Sequence, residues 1–245
     1  MKDAGNRKLP WVPPDLAGPD GLVGLGGDLR PPTLLRAYAE GVFPWFNEGD
    51  PILWWSPDPR AIIELDNLHV SRSLARTIRS GKFRITANRT FGAVMRGCGE
   101  RHDEGTWITK QMLAAYEDLH RIGHAHSIEV WLQDSGFRIQ DSDTQVSREA
   151  PAERDKLDGW TLAGGIYGVS IGAAFAGESM FHRVTDASKV ALVALVGRLK
   201  ERGYELFDVQ MRTDHTTRMG ATDLPRAEYL KRLRAAVAKT DVRFM

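Results

Sequence analysis

The stretch TLAGGIYGVS (161–170), followed after Ile171-Gly172 by AAFAGESMF (173–181), decides the fold. Both runs are apolar, aromatic-bearing and glycine-laced, and they read as successive strands. Upstream, Ser127 to Leu132 alternates as another strand. Downstream, Asp186 or Ser188 opens a helix that turns Val190, Leu192, Leu195, Val196 and Leu199 inward and stops at Gly203. Tyr204 to Met211 then reads as a central apolar strand, and a last helix runs from Pro225 to about Val237. Nearer the N-terminus, the pattern predicts a short helix near Pro32 to Glu40 and a second helix from Leu68. That second helix carries Val70, Leu74 and Ile78 on one stripe and Arg72, Arg76 and Arg79 on another. Phe83 to Ala87 alternates as a strand, and Asn88 and Thr90 can cap a helix through Gly97. Thr109 to Ile122 is helical, with Met112, Tyr116 and Leu119 on one face and Gly123 as its stop. Mixed strands and helices place the chain in the α+β class.

The run FPWFNEGDPILWWSPDPR (43–60) holds three of the seven tryptophans, Trp45, Trp54 and Trp55, among Pro44, Gly49, Pro51, Pro57 and Pro59. Each proline removes a donor and fixes φ, so a long helix or a central strand is not expected, and the aromatic surface is expected on loops. Two readings stand: indole faces that stack on a base or enclose an apolar group, or a small aromatic core under an irregular cap.

At 245 residues, 42% hydrophobic and 27% charged, the chain has the composition of a soluble globular protein with one large domain or two modest ones. Without a signal-like or membrane-length apolar run, a cytoplasmic protein without membrane contact is expected. Cys98 is the single cysteine, which excludes an intramolecular disulfide and a thiolate metal cluster. The net charge of +1 hides polarisation: eight basic residues against one acid lie between Leu68 and Arg101, including Lys82 and Arg84. A phosphate-contacting surface and a solvated helix face both fit that run. Acids gather instead around Gln133 to Gly159, a polar segment expected to be a flexible insertion at the tip of a hairpin. GLVGLGG (21–27) does not follow a strand and has the wrong glycine order for a phosphate loop, so it reads as a turn.

The chemistry-bearing residues are few. Asp208 and Gln210 stand two apart in an apolar strand, which puts both on one face. A buried carboxylate beside a carboxamide is either a satisfied structural pair or a working one. Glu178 and Met180 likewise share a face, suiting an apolar pocket beside an anionic one or a surface Glu next to a core Met. His124 and His126 lack a companion cluster, and no metal is expected.

Taken together, the chain resembles the leucyl/phenylalanyl-tRNA–protein transferases. The matching segments are GLVGLGGDL (21–29), LLRAYAEGVFPWF (34–46), PILWWSPDPR (51–60), GTWITKQMLAAYEDLHRIGHAHSIEVW (105–131), GGIYGVSIGAAFAGESMF (164–181), ASKVAL (187–192) and FDVQ (207–210). The resemblance implies a small N-terminal α/β domain (1–60). It also implies a larger GNAT-like, acyl-CoA N-acyltransferase-like domain (61–245) with a mixed sheet flanked by helices. The implied activity is transfer of Leu or Phe, with Met a third candidate, from aminoacyl-tRNA to proteins with N-terminal Arg or Lys, marking them for N-end-rule degradation. Carried over by position, Trp45, Trp107, Ile166, Phe175, Ser179 and Met180 shape the donor site, and Glu178, Asp208 and Gln210 form its polar face. Arg72, Arg76, Arg79, Lys82 and Arg84 would meet the tRNA. His182, where the family commonly has Ser, and the 133–159 insertion depart from the pattern. No cofactor is implied, and nothing suggests more than a monomer. A CoA-dependent N-acetyltransferase and a noncatalytic RNA-binding module are the competing readings; a peptidoglycan-bridge aminoacyltransferase is chemically closer, but such chains are generally longer.

Overall fold

The computed structural model describes residues 9–100, 106–134 and 155–245. Most of the polar insertion lies outside the described residues, but its flanks pair: β6 (Ala125–Gln133) and β8 (Trp160–Ile171) are antiparallel along their length, with β7 (Lys156–Leu157) added beside β8.

Two sheets are present. A three-stranded antiparallel sheet has β3 (Leu53–Trp55) between β1 (Leu22–Leu25) and β2 (Phe43–Pro44). The larger sheet has eight strands in the order β11-β4-β10-β9-β8-β6-β5, with β7 off that path. Its members not yet given are β4 (Arg60–Ile63), β5 (Phe83–Ala87), β9 (Ala174–His182), β10 (Leu206–Gln210) and β11 (Ala221–Leu224). β9 and β10 run parallel, joined by α5 (Ala187–Glu201); the neighbouring pairs are antiparallel. The chain is thus a mixed α+β protein.

The aromatic run departs from the loop expected of it. Trp54 is fully buried in the central strand of the small sheet, and β4 lies inside the large one. The prolines did not prevent this because Pro51, Pro57 and Pro59 fall between strands and Pro44 sits on an edge strand, where a missing donor is harmless. Of the three indoles, Trp45 is the one left exposed.

Helices cover both faces of the large sheet. α3 (Phe91–Gly99) and α4 (Lys110–Arg121) pack with α1 (Pro31–Ala39) and the small sheet in one core. α5 and α2 (Arg72–Arg79) build the other. Gly164 and Gly165 make both approaches possible: a Cβ would stand 2.8 Å from Ala187 Cβ at the first and 3.0 Å from Val94 at the second. The remaining helices are α6 (Asp214–Arg218) and α7 (Arg226–Val237).

Several boundaries differ from the pattern's promise. α2 begins at Arg72 rather than Leu68, because the Ser71 hydroxyl caps it by accepting from the Leu74 N–H at 3.2 Å. Neither Asn88 nor Thr90 caps α3 through its side chain; Asn88 takes a left-handed φ of 57° and binds His126 and Ser127 instead. Thr109 does cap α4, accepting from Met112 N–H.

Candidate active site

β9 and β10 pair only from Leu206↔Ala174 to Asp208↔Ala176 and then part. A cavity of about 500 Å³ fills the gap. Ile63, Ile166, Met180, Leu192, Phe207 and Val209 give it apolar walls, and Trp107 closes one side with Gly97 and Cys98 of α3. Glu178, Gln210, Ser179, Ser188, Thr213 and the two imidazoles of His182 and His215 supply its polar groups.

Two bulges aim the central pair. In β9, Tyr167 faces Ser179 while Gly168 faces Gly177, so Glu178 is the extra residue. In β10, the register shifts between Asp208 and Gln210, and Gln210 takes a φ of 57°. A left-handed glutamine is uncommon and costs roughly 1–3 kcal/mol, so the surrounding contacts must hold it. Asp208 does so, its Oδ1 accepting the Gln210 N–H at 2.9 Å. Period-two alternation alone would have set the two side chains side by side; the bulge separates them instead. Gln210 Nε2 turns to donate to Glu178 Oε1 at 3.1 Å.

Asp208 is spoken for. Arg60 donates to it through Nε at 2.8 Å and a terminal nitrogen at 2.7 Å, and Tyr229 through its hydroxyl at 2.8 Å. With the Gln210 amide, four donors saturate one buried carboxylate, which does not line the cavity. Arg60 is 1% exposed, lies between the rings of Phe43 and Tyr229, and also donates to Gly41 C=O. Burial would lower its pKa, but Asp208 outweighs that and holds it above the ordinary value.

Glu178 is placed differently. Its Oε2 accepts from the Tyr116 hydroxyl at 3.3 Å, and Tyr116 in turn shares a hydrogen bond with the Tyr38 hydroxyl. Burial pushes the Glu178 carboxyl up to about 7, against hydrogen bonds from the tyrosines that favour the anion. Burial, reinforced by the Glu178 charge, also raises both phenols well above their usual range. His182 and His215 are held below the usual imidazole pKa, first by burial and then by Lys189.

Of the residues picked from the sequence, Glu178, Ser179, Met180, Trp107, Ile166 and Gln210 meet at this cavity. Phe175 does not: it is fully buried behind Phe207, packed against Tyr204 and Phe244. Trp45 also lies off the cavity wall, edge-on to Trp55 at 5.9 Å. Arg72, Arg76, Arg79, Lys82 and Arg84 are exposed on α2, the turn after it and β5. His124 and His126 are engaged separately, with Ser170 C=O and Asn88, and no ligand cluster for a metal occurs among the described residues. Sequence reading missed the supporting knot of Arg60, Tyr229, Tyr116 and Tyr38. Arg60 stands 148 positions from Asp208, and no local pattern links them.

Known proteins match this chain along most of its length. The profile described as "Leucyl/phenylalanyl-tRNA protein transferase" matches residues 62–136 and 154–234, and its N-terminal domain profile matches residues 27–58. A leucyl/phenylalanyl-tRNA–protein transferase of Anaeromyxobacter dehalogenans is 50% identical over 97% of this chain and 92% of its own length. One from Magnetococcus marinus is 50% identical over 94% and 89%, and one from Citrobacter koseri 46% identical over 89% and 82%. The solved structure of L-PGS from Bacillus licheniformis aligns with a TM-score of 0.39 at 12% identity over 63% of this chain and 46% of its own, too loose a likeness to decide the fold. Full-length similarity to enzymes of one name defines the class, an aminoacyltransferase. The chain belongs to the leucyl/phenylalanyl-tRNA–protein transferase family.

Proposed function

We propose that the cavity between β9 and β10 is where Leu or Phe, with Met a third donor, passes from aminoacyl-tRNA to the α-amine of a protein beginning with Arg or Lys, marking it for N-end-rule degradation. Gln210 carries this reading: a glutamine kept in a costly backbone conformation, its amide presented to a cavity with apolar walls beside a carboxylate that has no ion pair of its own among the described residues.

The chemistry asks for little beyond placement. The amine nitrogen bonds to the ester carbonyl carbon, the carbon–oxygen bond to the ribose breaks, and the amine's proton ends on the released ribose oxygen. The α-amine has a pKa of about 8, so a useful share is neutral at pH 7. Orientation of two bound reactants is worth about 7–11 kcal/mol. Gln210 cannot act as a base, but its carbonyl can accept a hydrogen bond from the attacking amine. Glu178, with no cation on it, pairs with the positive acceptor residue. Asp208 acts through others, as a positioning residue that fixes the Gln210 backbone. Ile166, Met180 and Trp107 enclose the donor side chain, with Ser179 at the rim and Phe175 supporting Phe207 from behind. Trp45 offers an exposed face to the terminal adenosine.

For the tRNA, Arg72, Arg76, Arg79, Lys82 and Arg84 form a basic surface close to the cavity. Thr77 of α2 donates to Asp186 at 3.4 Å, and α5 starts there with Ser188 in the cavity wall. On this reading the chain divides in two at 60/61 and the larger part has a GNAT-like plan, for which the parting parallel strands with a helix between them are the support. A CoA-dependent N-acetyltransferase is less well supplied: the start of α5 offers the Asp186 carboxylate where a pyrophosphate would need amides. Radiolabelled Leu-tRNA incubated with a peptide beginning with Arg is the test. Label in the peptide is expected; no label with Arg or Lys peptides, or tight acetyl-CoA binding instead, would overturn the reading.

A further inference from the structure

An open strand edge lines the cavity, and the ladder pattern tells which groups it presents. At the start of β9, Ala173 C=O accepts from the Leu206 N–H at 3.3 Å, so the odd-numbered residues of that part face β10. Glu178 is the extra residue of the bulge, and one extra residue inverts the parity. Beyond it, Arg183 N–H donates to Ala163 C=O at 2.7 Å, so odd-numbered residues now face β8. The amides and carbonyls of Met180 and His182 therefore point to the side that β10 has vacated. β10's pairing with β9 ends at Asp208↔Ala176, and beyond that point Met180 and His182 line the cavity. Unpaired strand groups invite a further strand.

We infer that the first residues of the acceptor polypeptide occupy this edge as an added strand, pairing with Met180 and His182. The inference rests on the transferase reading above. The occupant follows from charge and direction. Glu178 stands in the crotch where the strands part, and its polar partners are the amide of Gln210 and the hydroxyls of Tyr116 and Tyr38; Arg60, the neighbouring cation, is committed to Asp208. The crotch therefore receives the positive end of the incoming chain, and the rest must leave through the open end, towards His182. β9 runs that same way, so the peptide lies parallel to it and takes up the course that β10 abandons. An aminoacyl ester has one carbonyl and no repeating amide, so it cannot continue a ladder; a polypeptide offers a donor and an acceptor at every second residue.

Acceptors must then present an extended N-terminal segment, and backbone groups past the first residue contribute irrespective of side chain. The test leaves the protein unaltered. Hexapeptides beginning with Arg are prepared with a single amide replaced by an ester, or a single nitrogen methylated, at residues 2, 3 and 4. Their kcat/KM is measured with saturating Leu-tRNA. The expected result is a loss of about five- to tenfold at alternate positions and less than twofold at the position between, with both replacements agreeing. Equal losses at adjacent positions, or losses below twofold throughout, overturn the added strand. If the unmodified parent peptide takes no label, the transferase reading fails instead.

Discussion

Asp208 and Glu178 are carboxylates on neighbouring strands, and their surroundings make them opposites. Asp208 is buried with a bidentate arginine, a tyrosine hydroxyl and a backbone amide, every lone pair in use. Glu178 sits on a bulge at the cavity wall with one amide and two tyrosine hydroxyls, no ion pair of its own among the described residues, and a pKa raised to about 7 by burial. A saturated buried charge has nothing left to offer a ligand and serves geometry. An unsaturated one is held out of its preferred state and can gain by binding. Comparing the two separates scaffold from site within a few ångströms, which residue type alone would not do.

The strongest way to break this contrast is to strip Asp208 of its cation. Arg60→Ala should cost about 3–5 kcal/mol of stability, because it leaves an uncompensated charge in the core. Urea midpoints would show it. The paired change Arg60→Met with Asp208→Leu should recover part of that loss but not activity, since it removes the acceptor of the Gln210 N–H. Recovery of both would make the knot merely structural.

Next in size, Gln210→Ala should lower single-turnover transfer about 100-fold at saturating substrates, the scale of losing one aligned polar group in a dry site. Folding should survive, because the side chain borders the cavity. A wild-type rate would end its role.

Glu178 sharpens the contrast through pH. Its folded carboxyl is pushed up to about 7 against an ordinary 4.5, so the anion that pairs a basic acceptor becomes the major form only above about pH 7. Transfer to Arg-peptides should therefore rise through about pH 7. Glu178→Gln should remove that limb, leaving the amine's own near 8. By linkage, a raised folded pKa stabilises fully below 4.5, and the contribution is lost as pH rises through about 7, so the variant's melting temperature should vary less with pH across that window. Identical profiles for both proteins would show that Glu178 does not titrate there.

The smallest effect concerns the basic surface. Replacing Arg72, Arg76 and Arg79 with Ala should raise the KM for aminoacyl-tRNA and reduce its salt dependence by a log–log slope of up to about 3, as phosphate contacts are lost. Transfer from a minimal aminoacyl-adenosine donor should be unaffected; an equal loss there would move these arginines from tRNA contact to folding.

Much of this was legible in the residues themselves. Glycines at 164 and 165, the apolar stripe of α5 and the Thr109 cap announce their elements because each depends on neighbours a few positions away. The motif segments likewise led to the right family, and they singled out Glu178, Met180, Trp107 and Gln210, which meet at one cavity. Trp54 misled, because proline spacing predicts loops and only the completed small sheet shows that β3 fits between Pro51 and Pro57.

The amino-acid order by itself determined the mixed α+β composition, the polar pair in an apolar strand and the basic helix, all consequences of periodicity and local chemistry. Tertiary structure alone decided that Asp208 is a locked support and Glu178 an open one. That assignment turns on an arginine 148 residues away, two bulges and the parting of parallel strands. A carboxylate's charge state and reach depend on what surrounds it in space, and chain order does not carry that information across such separations.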